Sequence, residues 1–114
     1  MCRHALKIAA DHPAYAGHFL GMPILPGAVL LDEALHIIEL ELALDLTRWQ
    51  LASVKFLEAV RPGDALTLEY TLAADGVVRF TVRVPERPGA EPDLARPALT
   101  GTLSMAPRGG AHEP

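Results

Sequence analysis

Cysteine occurs once in the 114 residues, at Cys2. No disulfide can therefore form within the chain, and the composition fits a reducing compartment. No apolar run approaches the roughly 20 residues that a membrane-spanning helix needs. A basic excess is lacking as well: 10 Lys and Arg stand against 14 Asp and Glu, for a formal net charge of −4. That balance leaves no cationic footprint for nucleic acid. Neither HExxH nor HxxEH spacing is present, so no zinc motif offers itself, and there is no internal repeat. These absences lead us to expect a cytoplasmic protein with neither nucleic acid nor membrane as its partner. Half of the residues are hydrophobic, enough for one globular domain at this length.

The apolar pattern divides the chain. "HALKIAA" (His4–Ala10) suits a first strand. Pro13 and Gly17 make the next stretch a loop. Pro26-Gly27 then opens a helix, in which Ala28, Leu31, Leu35, Ile38 and Leu42 recur at the period of one helix face. A second stripe runs through Leu30, Ala34, Ile37 and Leu44. Apolar residues over this much of the surface predict a core helix rather than a surface one. After Asp45 the period changes to two. "QLASVKFLEAV", "DALTLEYTLAA", "VVRFTVRV" and "ALTGTLSMA" read as strands of an antiparallel sheet with one apolar face. Asp75-Gly76 marks a hairpin between two of them. Glu86–Pro97 is a proline-rich loop, and residues 106–114 read as a disordered tail. The expected fold class is α+β, an antiparallel sheet wrapped around one long helix, in a single domain over residues 1–105.

Three residues suggest chemistry by type and position. His18 lies on an irregular segment beside Gly17. A neutral imidazole is a competent general base near neutral pH. Asp32 follows fourteen residues later, early in the helix, among Leu30, Leu31, Ala34 and Leu35. Such neighbours are expected to desolvate it partly, which raises a carboxyl pKa and keeps a proton available. Gly27 starts the helix, where backbone N–H groups lack intrahelical partners and the dipole is positive. Without a side chain, its N–H can approach a developing oxyanion. A base, an acid and an oxyanion donor are the parts for proton abstraction beside a thioester carbonyl. The bland readings are a structural loop histidine, a carboxylate set against the helix dipole, and a tight-turn glycine. Lys55, Arg61, Arg79 and Arg83 read as solvated strand faces that could also meet an acidic partner.

The stretch "HPAYAGHFLGMPILPGAVLLDEAL" closely resembles the hot-dog-fold 3-hydroxyacyl-acyl-carrier-protein dehydratases of the FabA/FabZ type. In that family P-x-x-x-G-H-F-P-x-x-P-x-x-P-G precedes an apolar run and a carboxylate. Pro13, Gly17, His18, Phe19, Gly21, Pro23, Pro26 and Gly27 fall in register with it, and Asp32 takes the carboxylate position, as in the FabA type. "VKFLEAVRPGD" is similar to a later strand of the family that ends in a Pro-Gly-Asp turn.

The resemblance implies a hydro-lyase that converts a 3-hydroxyacyl thioester into the trans-2-enoyl thioester. His18 would take the α-proton, the Gly27 N–H would polarise the carbonyl, and Asp32 would serve the departing hydroxyl. Phe19, Pro26 and His36 would line the substrate site. The expected partners are an acyl carrier protein, or coenzyme A, bearing the substrate, and a second copy of the chain. The family draws its histidine and carboxylate from different subunits, so a homodimer or higher homo-oligomer is implied. No metal or redox cofactor is implied. Three positions depart from the family. Leu20 follows His-Phe where proline is usual, His36 stands where glutamine is frequent, and Ala59 replaces a proline before the Pro-Gly-Asp turn. The alternatives are a hot-dog acyl thioesterase and a non-catalytic acyl-binding or partner subunit.

Overall fold

The structure is a computed structural model that describes residues 1–8, 25–84 and 96–105. Among these residues five strands form one antiparallel sheet: β1 (Cys2–Leu6), β2 (Trp49–Phe56), β3 (Leu66–Leu72), β4 (Val78–Val84) and β5 (Arg96–Met105). One long helix among the described residues, α1 (Gly27–Leu42), precedes β2, and a short 3-10 turn (Leu46–Arg48) links the two. This is the sheet-and-helix arrangement that the hot-dog resemblance implies.

The strand order is β1-β3-β4-β5-β2. β2 is therefore not a neighbour of β3, which follows it in sequence. It crosses to the far edge and pairs with β5, from Trp49↔Met105 to Phe56↔Leu99, with a bulge between Leu51 and Ser53. β1 ends at Leu6 and pairs with β3 from its first residue, Cys2↔Tyr70. It thus begins and ends earlier than the apolar pattern predicts. The β3–β4 hairpin turns at Asp75-Gly76 as expected. Gly76 takes φ +82°, the left-handed region that favours glycine. The Val77 N–H donates to Asp75 Oδ1 at 3.0 Å.

Period-two alternation separates the faces of the sheet. Leu66, Leu68 and Tyr70 on β3 and Val78, Phe80, Val82 and Val84 on β4 are buried against α1. Gly101 on β5 sits under the Phe80 ring, where a Cβ would collide with it. On the outer face, Arg83 Nε donates to Glu69 Oε1 at 3.0 Å, and Arg3 Nε lies 3.2 Å from Glu69 Oε2. Arg79 pairs with Asp75 at 3.2 Å. Arg79 and Arg83 are thus ion-paired rather than simply solvated.

The helix is a core helix on one side only. Leu30, Ala34 and Ile38 are buried, and Leu31, Leu35 and Ile37 pack partly against the same core. Ala28, Asp32, His36 and Leu40 are exposed. Leu42 ends the helix. Ala43 follows in the left-handed conformation, φ 53° and ψ 44°, and its N–H caps Glu39. Leu44, expected within the helix, lies beyond that cap. No described helix is long and apolar enough to cross a membrane.

Candidate active site

The start of α1 is fixed from both sides of the chain. The buried Leu25 donates its N–H to the Val60 carbonyl at 2.9 Å, tying the segment before the helix to the loop between β2 and β3. Pro26 is preset at φ −58° and ψ 139°, an extended geometry from which a helix can begin. Its carbonyl accepts from the Val29 and Leu30 N–H groups at 3.0 and 3.2 Å. Gly27 and Ala28 are left without intrahelical acceptors. No side chain caps this terminus among the described residues, and its first turn holds no acidic residue. The positive end of the dipole is therefore not neutralised from within the helix.

The third constraint comes from β2. A Cβ on Gly27 would lie 2.6 Å from Phe56 Cδ1 and 2.7 Å from Cε1. The Phe56 ring thus rests on the bare Cα of Gly27. Beside this contact is an open cavity of about 350 Å³, lined by Leu25, Pro26, Leu30, Val60 and Ala98 together with Phe56. Glu58, at its edge, is held by Arg96 at 3.4 Å.

Asp32 belongs to a different side of the helix. Five residues at about 100° each carry it roughly 140° around the axis from Gly27 and about 7.5 Å along it. There it is exposed, with His36 one turn on. Partial desolvation of Asp32 by Leu31 and Leu35 is therefore not found within one chain: those side chains turn toward the core while the carboxylate turns away. The His36 ring is also exposed, with Nδ1 4.0 Å from Glu39 Oε1.

Of the residues expected at the site, the structure brings Pro26 and Gly27 together with the cavity. It puts Asp32 and His36 on the opposite, open face of the same helix. His18 and Phe19 lie outside the described residues, as do Pro13, Gly17, Gly21 and Pro23. Among the described residues no three His, Cys, Asp or Glu side chains gather as a metal site. Phe56 was not foreseen. In the sequence it is one apolar residue in a strand, and only the crossover of β2 brings it onto Gly27.

The exposed face of α1 has company on the same side of the sheet. Every residue of β2 is at least partly exposed, and its outer edge has no strand partner among the described residues. Leu51 and Phe56, which pair with the buried Leu103 and Leu99, are 38% and 53% exposed, and Leu40 on the helix is 65% exposed. An open strand edge and large exposed apolar side chains thus lie on one part of the surface.

Comparison with known proteins fits this arrangement. A family model described as ApeI-like, ApeI dehydratase, matches residues 1–90. The 3-hydroxyacyl-acyl-carrier-protein dehydratase FabZ of Ligilactobacillus salivarius is 37% identical over 74 residues, which are 58% of this chain and 52% of that protein. The FabZ of Chlamydia trachomatis serovar L2 is 31% identical over 72 residues, 55% of this chain and 47% of that one. The chain thus spans about half the length of the curated relatives it matches. Two solved structures show the same fold. The dehydratase heterocomplex ApeI:P from Xenorhabdus doucetiae aligns with a TM-score of 0.66 at 20% identity, over 92% of this chain and 86% of that one. The dehydratase domain from the CurF module of curacin polyketide synthase aligns with a TM-score of 0.72 at 15% identity, over 97% of this chain and 41% of that one. With most of its length matched by the family model and its sheet and helix matched by these structures, the chain belongs to the ApeI-like family of hot-dog-fold dehydratases.

Proposed function

We propose that this chain is a cytoplasmic hydro-lyase that acts on a 3-hydroxyacyl thioester borne by an acyl carrier protein, with each active site shared between two copies of the chain. The observation that carries this reading is the division of α1. An uncapped N-terminus with a bare glycine faces an apolar cavity, and a carboxylate lies about 140° away on an uncovered face. One chain's Asp32 is turned away from its own Gly27, so a second chain is the natural supplier.

In this reading the substrate thioester carbonyl accepts a hydrogen bond from the Gly27 N–H, which stabilises the enolate as charge develops on oxygen. His18 removes the C2 proton, and the C2–H electron pair becomes the C2=C3 bond as the C3–O bond breaks. Asp32 of the second subunit gives its proton to the departing hydroxyl, which leaves as water. Phe19 and Pro26 line the thioester site, and His36, one turn after Asp32, borders the point where water departs. His18 and Phe19 enter through the family motif, with Pro26-Gly27 as their anchor in the fold.

The test is hydration of a trans-2-enoyl thioester by the purified chain, alongside His18→Ala. Activity should fall by about 10²–10⁴ in the variant with the fold intact. Wild-type turnover by a folded His18→Ala protein would sink the assignment, as would release of free acid and thiol instead of the hydrated thioester. A second reading, in which the open face takes a different subunit, is favoured by one observation: the similar Xenorhabdus structure is a heterocomplex. Light scattering separates the two, since a homodimer has twice the mass of the chain without any added partner.

A further inference from the structure

We infer that Phe56 is a positioning residue for the Gly27 oxyanion donor, and that residues 27 and 56 form a complementary pair: glycine is required at 27 because an aromatic ring occupies the space its Cβ would need. The inference rests on the dehydratase reading for its kinetic consequence. Its steric part stands without that reading.

Four observations bear on the pair. Phe56 Cδ1, Cε1 and Cγ lie 2.6, 2.7 and 3.2 Å from the ideal Cβ position of Gly27. Side-chain carbons do not approach that closely, so any residue but glycine must move the ring or the helix. Gly27 has a negative φ, being absent from the positive-φ glycines, so backbone conformation does not demand glycine here. Phe56 is 53% exposed as a residue, yet its ring is packed on Gly27 rather than left free in solvent. Finally, the end of β2 is anchored next to Phe56: the Leu57 N–H donates to the Ala98 carbonyl at 2.8 Å and the Glu58 N–H to the same oxygen at 3.3 Å. The ring therefore extends from a fixed backbone and meets the helix where Gly27 and Ala28 present free N–H groups.

The chemical consequence follows from geometry. An oxyanion donor works only if its N–H points to where the charge develops, and displacement by about 1 Å can cost on the order of 100-fold in rate. Glycine is also the residue whose backbone is least restrained by its own side chain. A ring pressed on its Cα restores that restraint. The same ring forms one wall of the 350 Å³ cavity, whose size is near the lower end of the roughly 300–1,000 Å³ common for small-molecule sites.

The test is a double-mutant cycle on the purified full chain, with Gly27→Ala, Phe56→Ala, the pair, and Phe56→Tyr, read by kcat and KM for a linear enoyl thioester and by melting temperature. Gly27→Ala should lose about 100-fold in kcat and also melt lower. Phe56→Ala should lose about 10-fold in kcat with KM changed less than about 3-fold, at a melting temperature near that of the wild type. Phe56→Tyr should stay near the wild type. The double variant should melt above Gly27→Ala and regain part of its kcat. Wild-type kcat in Phe56→Ala overturns the positioning role. A double variant that melts no higher than Gly27→Ala overturns the pairing, and that result needs no turnover. A wild-type chain without dehydratase activity defeats the functional reading, with the positioning role resting on it, and leaves the pairing to be decided by the melting temperatures alone.

Discussion

The two sides of α1 differ in composition and in fate. One line, Leu30, Ala34 and Ile38, is sealed against the sheet. The other, Ala28, Asp32, His36 and Leu40, sets two titratable residues between two apolar ones and is exposed, with none of the described residues covering it. The first line follows from burial alone: each large side chain removed from water contributes about 1.5–3 kcal/mol. The second line gains no such stabilisation within one chain. Leu40 at 65% exposure contributes little to a lone subunit. The difference teaches that the fold rests on one face of the helix and the proposed proton donor on the other, so these two should be separable by mutation.

The largest effect should come from the open side. Asp32→Asn is expected to lower dehydratase turnover by about 10²–10⁴, with an unchanged melting temperature, measured on one preparation by enoyl-thioester hydration and thermal unfolding. Next is the sealed side. Ile38→Ala should cost about 2–5 kcal/mol of stability in denaturant titration, because Ile38 is fully buried. An Asp32→Asn protein that unfolds as readily as Ile38→Ala would break the distinction.

Two smaller effects sharpen it. Leu40→Lys should separate the proposed dimer into monomers in sedimentation while changing the stability of the monomer by less than about 0.5 kcal/mol. At the helix end, Ala43 holds a left-handed conformation that disfavours any residue with a Cβ. Ala43→Gly should therefore stabilise the fold by about 1 kcal/mol. The smallest effect is in acid. The Val77 N–H, and then Arg79, hold the Asp75 carboxyl below its ordinary value of 3.8. A carboxyl with a depressed folded pKa stabilises the fold above its unfolded pKa and loses that contribution as pH falls through the folded value. Asp75→Asn should lower stability slightly at neutral pH and flatten the acid-unfolding curve below about pH 4, so that the two proteins converge in acid.

Much of the fold was legible in the sequence. The alternation Leu66-Leu68-Tyr70 and Val78-Phe80-Val82 assigns strands and their buried face, since side chains on a strand alternate with period two. Asp75-Gly76 names its own turn. The crossover of β2 was not legible, because nothing local in "QLASVKF" says which strand it will pair with. The buried side of α1 was legible only as two overlapping stripes. Ala28 and Leu31 share a stripe in the sequence, yet Ala28 is exposed, because the sheet covers one line and not the other. The site divides in the same way. Pro26-Gly27 and Asp32 are visible as a motif, and the motif indicates which residues matter without saying which face each occupies. Phe56 carried no signal, because its role depends on a partner 29 residues earlier in the chain that has no side chain.

The most direct test of a site shared across two copies mixes two inactive proteins. His18→Ala supplies an intact Asp32, and Asp32→Asn supplies an intact His18. Each should be nearly inactive alone. After subunit exchange, confirmed by native mass spectrometry of differently tagged chains, every mixed dimer holds one complete site, and enoyl-thioester hydration should return in proportion to the mixed dimer formed. Verified exchange with no return of activity would contradict the account and place both residues within one chain.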